Sequence, residues 1–203
     1  MLLDDIINLA TDNQQSITVL LRKCIVLAHQ LKNDRLKLWV NKELNGYEPA
    51  EEIPEYRKMP APAKGNFSGG WGAYQGGRNI PPAVMEKEHR WAAESVELRQ
   101  AVSAYESIVS EGSEGTITYP WNNNMVLYYQ QKFISGYVLI AAWQEIPRSA
   151  VAAVLDTIRT RVLNMALEIQ SEIGDTDVDL KDITPEESKK VDQTIIAQNG
   201  VFT

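Results

Sequence analysis

Side chains with chemical potential cluster where a predicted central strand, 136–146, ends and a helix begins. Trp143, Glu145 and Arg148 bring an indole, a carboxylate and a guanidinium within six residues of one another. Strand ends that meet helix N-termini are frequent binding positions, because free backbone N–H groups at a helix start attract anions. We therefore interpret these three residues as a candidate ligand or partner site.

Two further charged side chains, Asp156 and Arg159, follow on the same predicted helix. Residues three apart share a helix face, so Arg159 can pair with Asp156, or it can instead reach Glu43. A salt-bridge network between elements is thus the alternative to a binding site. If the site is catalytic, Glu145 and Asp156 are the candidate acids, and Arg148 is the candidate phosphate-binding residue.

A glycine-rich segment, 69–79 (GGWGAYQGGRN), is predicted as a surface loop. Trp71 and Tyr74 could serve there as stacking platforms beside Arg78, an arrangement that holds single-stranded nucleic acid in other proteins. The segment lacks the Gly-Lys-Ser/Thr sequence of a phosphate-binding P-loop. A flexible loop without a ligand is the alternative interpretation.

An acidic segment near the C-terminus has carboxylates at the spacing of a calcium-binding loop: Asp175, Asp177, Asp179 and Glu186. Position six of such a loop needs a glycine for its sharp turn, and the chain has Leu180 there. We therefore expect a solvated acidic linker. No metal site and no cofactor are predicted.

The chain offers few nucleophiles or bases. Its single cysteine, Cys24, lies in an apolar helical stripe, and His29 points to a different face of that helix, so the two cannot form a catalytic pair. We expect Cys24 to be a core residue. No catalytic set is recognised, so catalytic residues stay unknown.

Periodicity predicts an α+β fold with an N-terminal helical hairpin cluster, a small mixed or antiparallel sheet, and a long C-terminal amphipathic helix. The predicted helices are 2–11, 17–31, one that ends at Gly46, 99–111, 122–130 and 147–173. The predicted strands are 64–68, 93–98, 116–119 and 136–146, the last one central and covered on both faces.

The hairpin and two later segments resemble the AbiTii family, bacterial proteins associated with abortive phage infection. Residues 36–49, LKLWVNKELNGYEP, are similar to that family's Leu-x-x-Trp-Val-Asn-x-Glu-Leu-Asn-Gly-Tyr block. Residues 55–67 match its Tyr-Arg and Lys-Gly segment, and residues 134–170 match its strand-then-long-helix block. The resemblance covers about 1–172 and implies a role in phage defence without a settled catalytic motif. Within the hairpin, Trp39 is predicted to be core and Tyr47 to be a contact residue.

Charge is unevenly distributed along the 203 residues, which carry a net charge of −7. Residues 1–167 hold 17 basic and 18 acidic side chains, whereas 168–203 hold 3 and 9. We predict one globular domain, 1–174, and an acidic tail, 175–203, with a short helix at 184–187 and a terminal strand at 195–203. The absence of a signal peptide pattern or an apolar span favours a cytoplasmic protein that does not contact the membrane.

Three functional hypotheses remain open at this point. The leading one is a non-enzymatic interaction, oligomerisation or sensing domain of a bacterial anti-phage system, acting as a homo-oligomer and with a neighbouring defence protein or a phage protein. The second hypothesis is an enzyme acting on nucleotides or nucleic acid. The third is a nucleic-acid or nucleotide sensor, and it is weakly supported because the chain has no strongly basic region. The sequence does not distinguish an effector from a regulator or a sensor.

Overall fold

The computed structural model describes residues 2–112, 114–173 and 184–199, which form two compact units. The helical unit comprises the described residues within 1–57, 99–112 and 151–203, and the sheet unit those within 58–98 and 113–150. The predicted α+β class is confirmed, including the helical hairpin and the long C-terminal helix. The predicted division between a domain and an acidic tail stays a prediction.

The elements are numbered here in chain order. The helices of the described residues are α1 Leu2–Thr11, α2 Ile17–Gln30, α3 Asp34–Asn45, α4 Trp91–Glu94, α5 Val102–Ser110, α6 Asn123–Tyr129, α7 Arg148–Ile173 and α8 Pro185–Asn199. The strands are β1 Lys58–Pro60, β2 Ala63–Gly69, β3 Tyr74–Ile80, β4 Ser95–Glu97, β5 Thr116–Pro120 and β6 Tyr137–Pro147.

The hairpin of α2 and α3 starts at residue 17 and ends at Gly46, as the sequence predicts. The Ser16 side chain accepts a hydrogen bond from the Val19 N–H, and the Asn33 side chain accepts one from the Leu36 N–H, so each helix has a capped start. Gly46 ends α3 with φ of 91°, and a Cβ at this position would lie 2.7 Å from the Arg99 carbonyl oxygen. Both the conformation and the close approach therefore require glycine.

The long helix α7 buries its apolar stripe within the chain. Val151, Ile158, Val162, Met165 and Ile169 are all completely buried. At the sequence level, a helix of this length either spans its own domain or pairs with a second copy. The burial supports the first alternative, because this stripe is already covered.

The sheet unit contains a four-stranded antiparallel sheet with strand order β3-β2-β6-β5 and a two-stranded antiparallel sheet of β1 and β4. Strand β6 is central, as predicted, but the prediction that it is covered on both faces is wrong. Ala142, Gln144 and Ile146 are buried on one face, whereas Trp143 and Glu145 on the other face are only partly buried. A sheet with helices on a single face alternates in this way, since side chains of a strand point to opposite faces.

Two local predictions are corrected by the structure. The glycine-rich segment is mostly strand β3, because its backbone pairs with β2, and only residues 70–73 turn between the strands. Residues 195–199, predicted as strand, continue helix α8, and Val191 and Ile195 bury its apolar side. Residues 200–203 and the acidic segment 174–183 lie outside the described residues.

Candidate functional site

The most deeply buried charges of the helical unit belong to Glu43 on α3 and Arg57, whose side chains are both fully buried. Arg57 Nε lies 3.2 Å from each carboxylate oxygen of Glu43, and its Nη2 donates to Oε2. Arg57 Nη1 donates to the Gln100 carbonyl at 2.9 Å. Such a pair is stable only because further hydrogen bonds satisfy both groups.

Two tyrosine hydroxyl groups complete the coordination of Glu43. Tyr47 and Tyr56 each donate to Oε1 at 2.7 Å, and Trp39 Nε1 donates to the Tyr56 hydroxyl at 2.9 Å. Burial, and then the neighbouring Glu43 charge, raise the pKa of both tyrosines, so both stay protonated donors. We call Trp39, Glu43, Tyr47, Tyr56 and Arg57 together the Glu43 cluster.

The Glu43 cluster joins the segments that carry the family resemblance. Trp39, Glu43 and Tyr47 come from the hairpin block, whereas Tyr56 and Arg57 come from the Tyr-Arg segment. Tyr47 is only 6% exposed, and its ring lies 5.0 Å from the Arg57 guanidinium carbon. Tyr47 is therefore positioned to hold the helical unit together, and its burial argues against the predicted role as a surface contact. Trp39 is core, as predicted.

Arg159 holds the chain between α1 and α2. Its guanidinium donates to the carbonyls of Leu9 at 2.9 Å, Asp12 at 3.0 Å and Gln15. Of the two alternatives for Arg159, the contact with Glu43 is wrong, since Arg57 binds that carboxylate. A cation at the C-terminal end of α1 is also favourable because helix carbonyls there carry partial negative charge.

A cleft of about 680 Å³ in the helical unit is lined by Asp156 and Arg159 together with Glu106 of α5. Asp156 is exposed, whereas Arg159 is buried against the C-terminal end of α1. Glu106 accepts hydrogen bonds from the Ser16 hydroxyl at 3.0 Å, the Thr18 hydroxyl at 2.6 Å and the Ile17 N–H. The carboxylate thus occupies the start of α2, where an external anion would otherwise bind.

Glu145 and Trp143 of the sheet unit do meet, as their spacing suggests. Trp143 Nε1 donates to Glu145 Oε1 at 2.7 Å, and Lys64 Nζ lies 2.6 Å from Oε2. Lys64 is the register partner of Trp143 in the β2–β6 pair, which explains the contact. The Lys64 hydrogen bond, and then that of Trp143, hold the pKa of Glu145 below its usual range.

Arg148 is the first residue of α7, and its backbone N–H donates to the Gly115 carbonyl at 3.0 Å. It belongs to the sheet unit, as do Trp143 and Glu145, whereas Asp156 and Arg159 belong to the helical unit. The structure therefore divides the predicted binding residues into two separate groups.

Trp71 lies at the tip of the β2–β3 hairpin and is fully exposed. Its φ of 59° and ψ of 28° are left-handed, and the turn is closed by hydrogen bonds from Gly69 N–H to Ala73 O and from Ala73 N–H to Gly70 O. Tyr74 beside it is 61% exposed, and Arg78 of β3 is exposed. No acidic residue occurs in 58–85, so this hairpin is locally basic.

Sequence reasoning missed Arg57 and Glu106 as organising residues. Both bind partners far away in the chain, so no local spacing indicates them. The Tyr-Arg segment of the family resemblance was the available signal for Arg57. Among the residues described by the structure, no cluster of three or more His, Cys, Asp or Glu side chains could hold a metal ion.

Comparison with known proteins gives one match. The model of the AbiTii family matches residues 1–196 of the chain. No curated protein and no solved structure matches it. Within the described residues, none of the helices combines the length and apolar character that crossing a membrane requires.

Proposed function

Because this chain belongs to the AbiTii family, which is associated with abortive phage infection, we propose that it serves that defence as a protein-interaction domain. The contact element is the tip of the β2–β3 hairpin, with Trp71 as its anchor. The partner is a second copy of the chain, a neighbouring defence protein or a phage protein.

The observation that carries this proposal is the full exposure of Trp71 in a fixed turn. A single exposed apolar residue is ordinary, but tryptophan is the residue most enriched among interface hot spots. Here the indole is presented by a closed turn in left-handed backbone, a conformation that is uncommon for a bulky residue. A rigid aromatic anchor loses little conformational entropy when it enters a partner's pocket.

The charged residues considered as catalytic or ligand-binding groups also favour an interaction role. Their polar atoms are already hydrogen-bonded within the protein. The Glu145 carboxylate is hydrogen-bonded by Lys64 and Trp143, and the lowered pKa makes it a poor proton donor near neutral pH. Arg159 binds backbone carbonyls, so its guanidinium is occupied in a structural role.

A phage plaque assay in cells that carry the complete defence locus tests this function. Trp71→Asn removes the indole, while asparagine tolerates left-handed backbone, so the turn is retained. Leu127→Ala is the matched control, since Leu127 is another exposed apolar residue of the sheet unit, on α6. We expect protection to be lost with Trp71→Asn and retained with Leu127→Ala, at unchanged melting temperature and protein level.

Native mass spectrometry of the same proteins identifies the partner class. Loss of a homo-oligomer in Trp71→Asn assigns the tip to contact between copies, whereas an unchanged subunit number assigns it to another protein. Full protection by Trp71→Asn contradicts the proposed function.

A further inference from the structure

A second cleft, of about 460 Å³, lies within the sheet unit, away from the tip of the β2–β3 hairpin. Its lining comprises Trp91, Ser95, Val96, Glu97, Tyr119 and Gln144. Small-molecule sites typically have volumes of about 300–1,000 Å³ and combine apolar walls with a few fixed polar groups. The lining of this cleft has that composition.

The fixed polar group is the side-chain amide of Gln144, which is only 5% exposed. Its Nε2 donates to the carbonyls of Ser95 at 2.7 Å, Trp91 at 3.2 Å and Ala61 at 3.3 Å. Carbonyl oxygens only accept hydrogen bonds, so the nitrogen must face them and the amide cannot be flipped. The position of Oε1 is thereby fixed as well.

Gln144 Oε1 accepts no hydrogen bond from the part of the chain that the structure describes. Within the described residues, Gln144 Oε1 is also not among the side-chain atoms that are both fully buried and without a hydrogen bond. Oε1 is therefore accessible, although its residue is almost completely buried, and the accessible space beside Gln144 is the cleft. A buried acceptor of this kind favours a ligand that donates a hydrogen bond.

Aromatic side chains supply the walls. Tyr119 is directly opposite Gln144 in the β5–β6 register, so the two side chains lie on the same face of the sheet. Trp91 begins α4 and is 55% exposed, although the carbonyl of the same residue is held by Gln144. The backbone of Trp91 is thus fixed while its indole keeps a large uncovered surface.

We propose that this cleft binds a planar heterocycle with an N–H donor, of the nucleobase type. The N–H group donates to Gln144 Oε1, and the ring packs against Trp91 and Tyr119. Aromatic side chains beside an amide acceptor are the groups with which proteins hold single bases. Because Nε2 is fully engaged, Gln144 offers one acceptor only, so several nucleosides are expected to bind.

Saturation-transfer NMR on the full chain tests the proposal with adenosine, guanosine, cytidine and uridine as probes, followed by calorimetric titration. Adenosine is compared with N6,N6-dimethyladenosine, which keeps the ring but lacks the amino N–H donor. Trp91→Ala removes an exposed wall and leaves the core intact. Leu127→Ala is the control, because it removes another exposed apolar side chain of the sheet unit outside the cleft.

We expect binding of at least one nucleoside, about tenfold weaker binding to Trp91→Ala, and unchanged binding to Leu127→Ala. Dimethylation should weaken adenosine binding if adenosine is the bound nucleoside. Absence of transfer to all four nucleosides at millimolar concentration contradicts the proposal, as does equal binding to Trp91→Ala. Neither result bears on the hairpin tip, so failure here and failure of the proposed function are distinguishable.

Discussion

Arg57 and Glu43 form an ion pair in which both side chains have no solvent-exposed surface. Each partner also binds groups from elsewhere in the helical unit, since Glu43 accepts from Tyr47 and Tyr56 and Arg57 donates to the Gln100 carbonyl. The pair therefore links α3 to two other segments of the helical unit, one that ends at Arg57 and one that contains Gln100. In the sequence, residues 58–98 of the sheet unit lie between these two segments. Neither charge can be solvated if the other is removed.

Arg57→Met is expected to destabilise the protein by about 3–5 kcal/mol, because it leaves the Glu43 carboxylate buried without its counter-charge. Urea unfolding monitored by circular dichroism measures the change. Lys23→Ala is the control, since it breaks the exposed Lys23–Asp5 pair, which water screens, and should change stability far less.

The double variant Glu43→Gln/Arg57→Met separates the charge from the packing. Without an uncompensated carboxylate, it should be more stable than Arg57→Met alone. Equal or lower stability of the double variant would show that the Glu43 cluster depends on shape and hydrogen bonds and not on charge.

Local signals in the sequence were sufficient for most of the helical unit. Ser16, Asn33 and Gly46 are capping residues with a direct physical meaning, and α2 starts at residue 17 and α3 ends at Gly46, as predicted. The glycine-rich segment was wrongly predicted as a loop, because glycine normally indicates a loop. In the structure, pairing with β2 makes most of this segment strand β3. Strand pairing is a non-local interaction that no local propensity reports.

The candidate sites were less accessible to sequence reasoning. The Trp143–Glu145 contact was predictable because it joins residues two apart on one strand. Arg57, Glu106 and Gln144 bind partners about 43–90 residues away, with separations set by the fold. Their roles appear only once the tertiary structure is known.

Glu106→Ala is expected to lower the free energy of unfolding by about 1–2 kcal/mol, because it removes the carboxylate that satisfies the first N–H groups of α2. Ile17 N–H and the Ser16 and Thr18 hydroxyls lose their acceptor in this variant. Thermal unfolding measures the loss, with Glu52→Ala as an exposed control on the same unit. A loss no larger than that of the control would mean that water replaces Glu106 at no cost.

Cys24 is expected to resist alkylation in the folded protein. Burial raises the pKa of its thiol to about 12, so little thiolate exists at pH 8, and the sulfur is inaccessible. Iodoacetamide labelling followed by mass spectrometry should be at least about a hundredfold slower in the native state than in urea. Comparable rates in both states would show that the hairpin opens readily under native conditions.

Glu145 should contribute stability at neutral pH that disappears in acid. Lys64 and Trp143 lower its folded pKa, so between the lowered value and the ordinary 4.5 the unfolded chain binds more protons than the folded one. The contribution is therefore complete above the ordinary pKa and is lost as the pH falls through the lowered one.

Glu145→Gln should be less stable than the parent by about 0.5–1 kcal/mol at pH 7, and the difference should shrink toward zero in acid. Urea titrations from pH 7 to pH 3 measure it, and Glu52→Gln provides a carboxylate without these partners. A difference that stays constant across this range would place the effect of the substitution in side-chain packing, since a charge interaction with Lys64 must follow the protonation of Glu145.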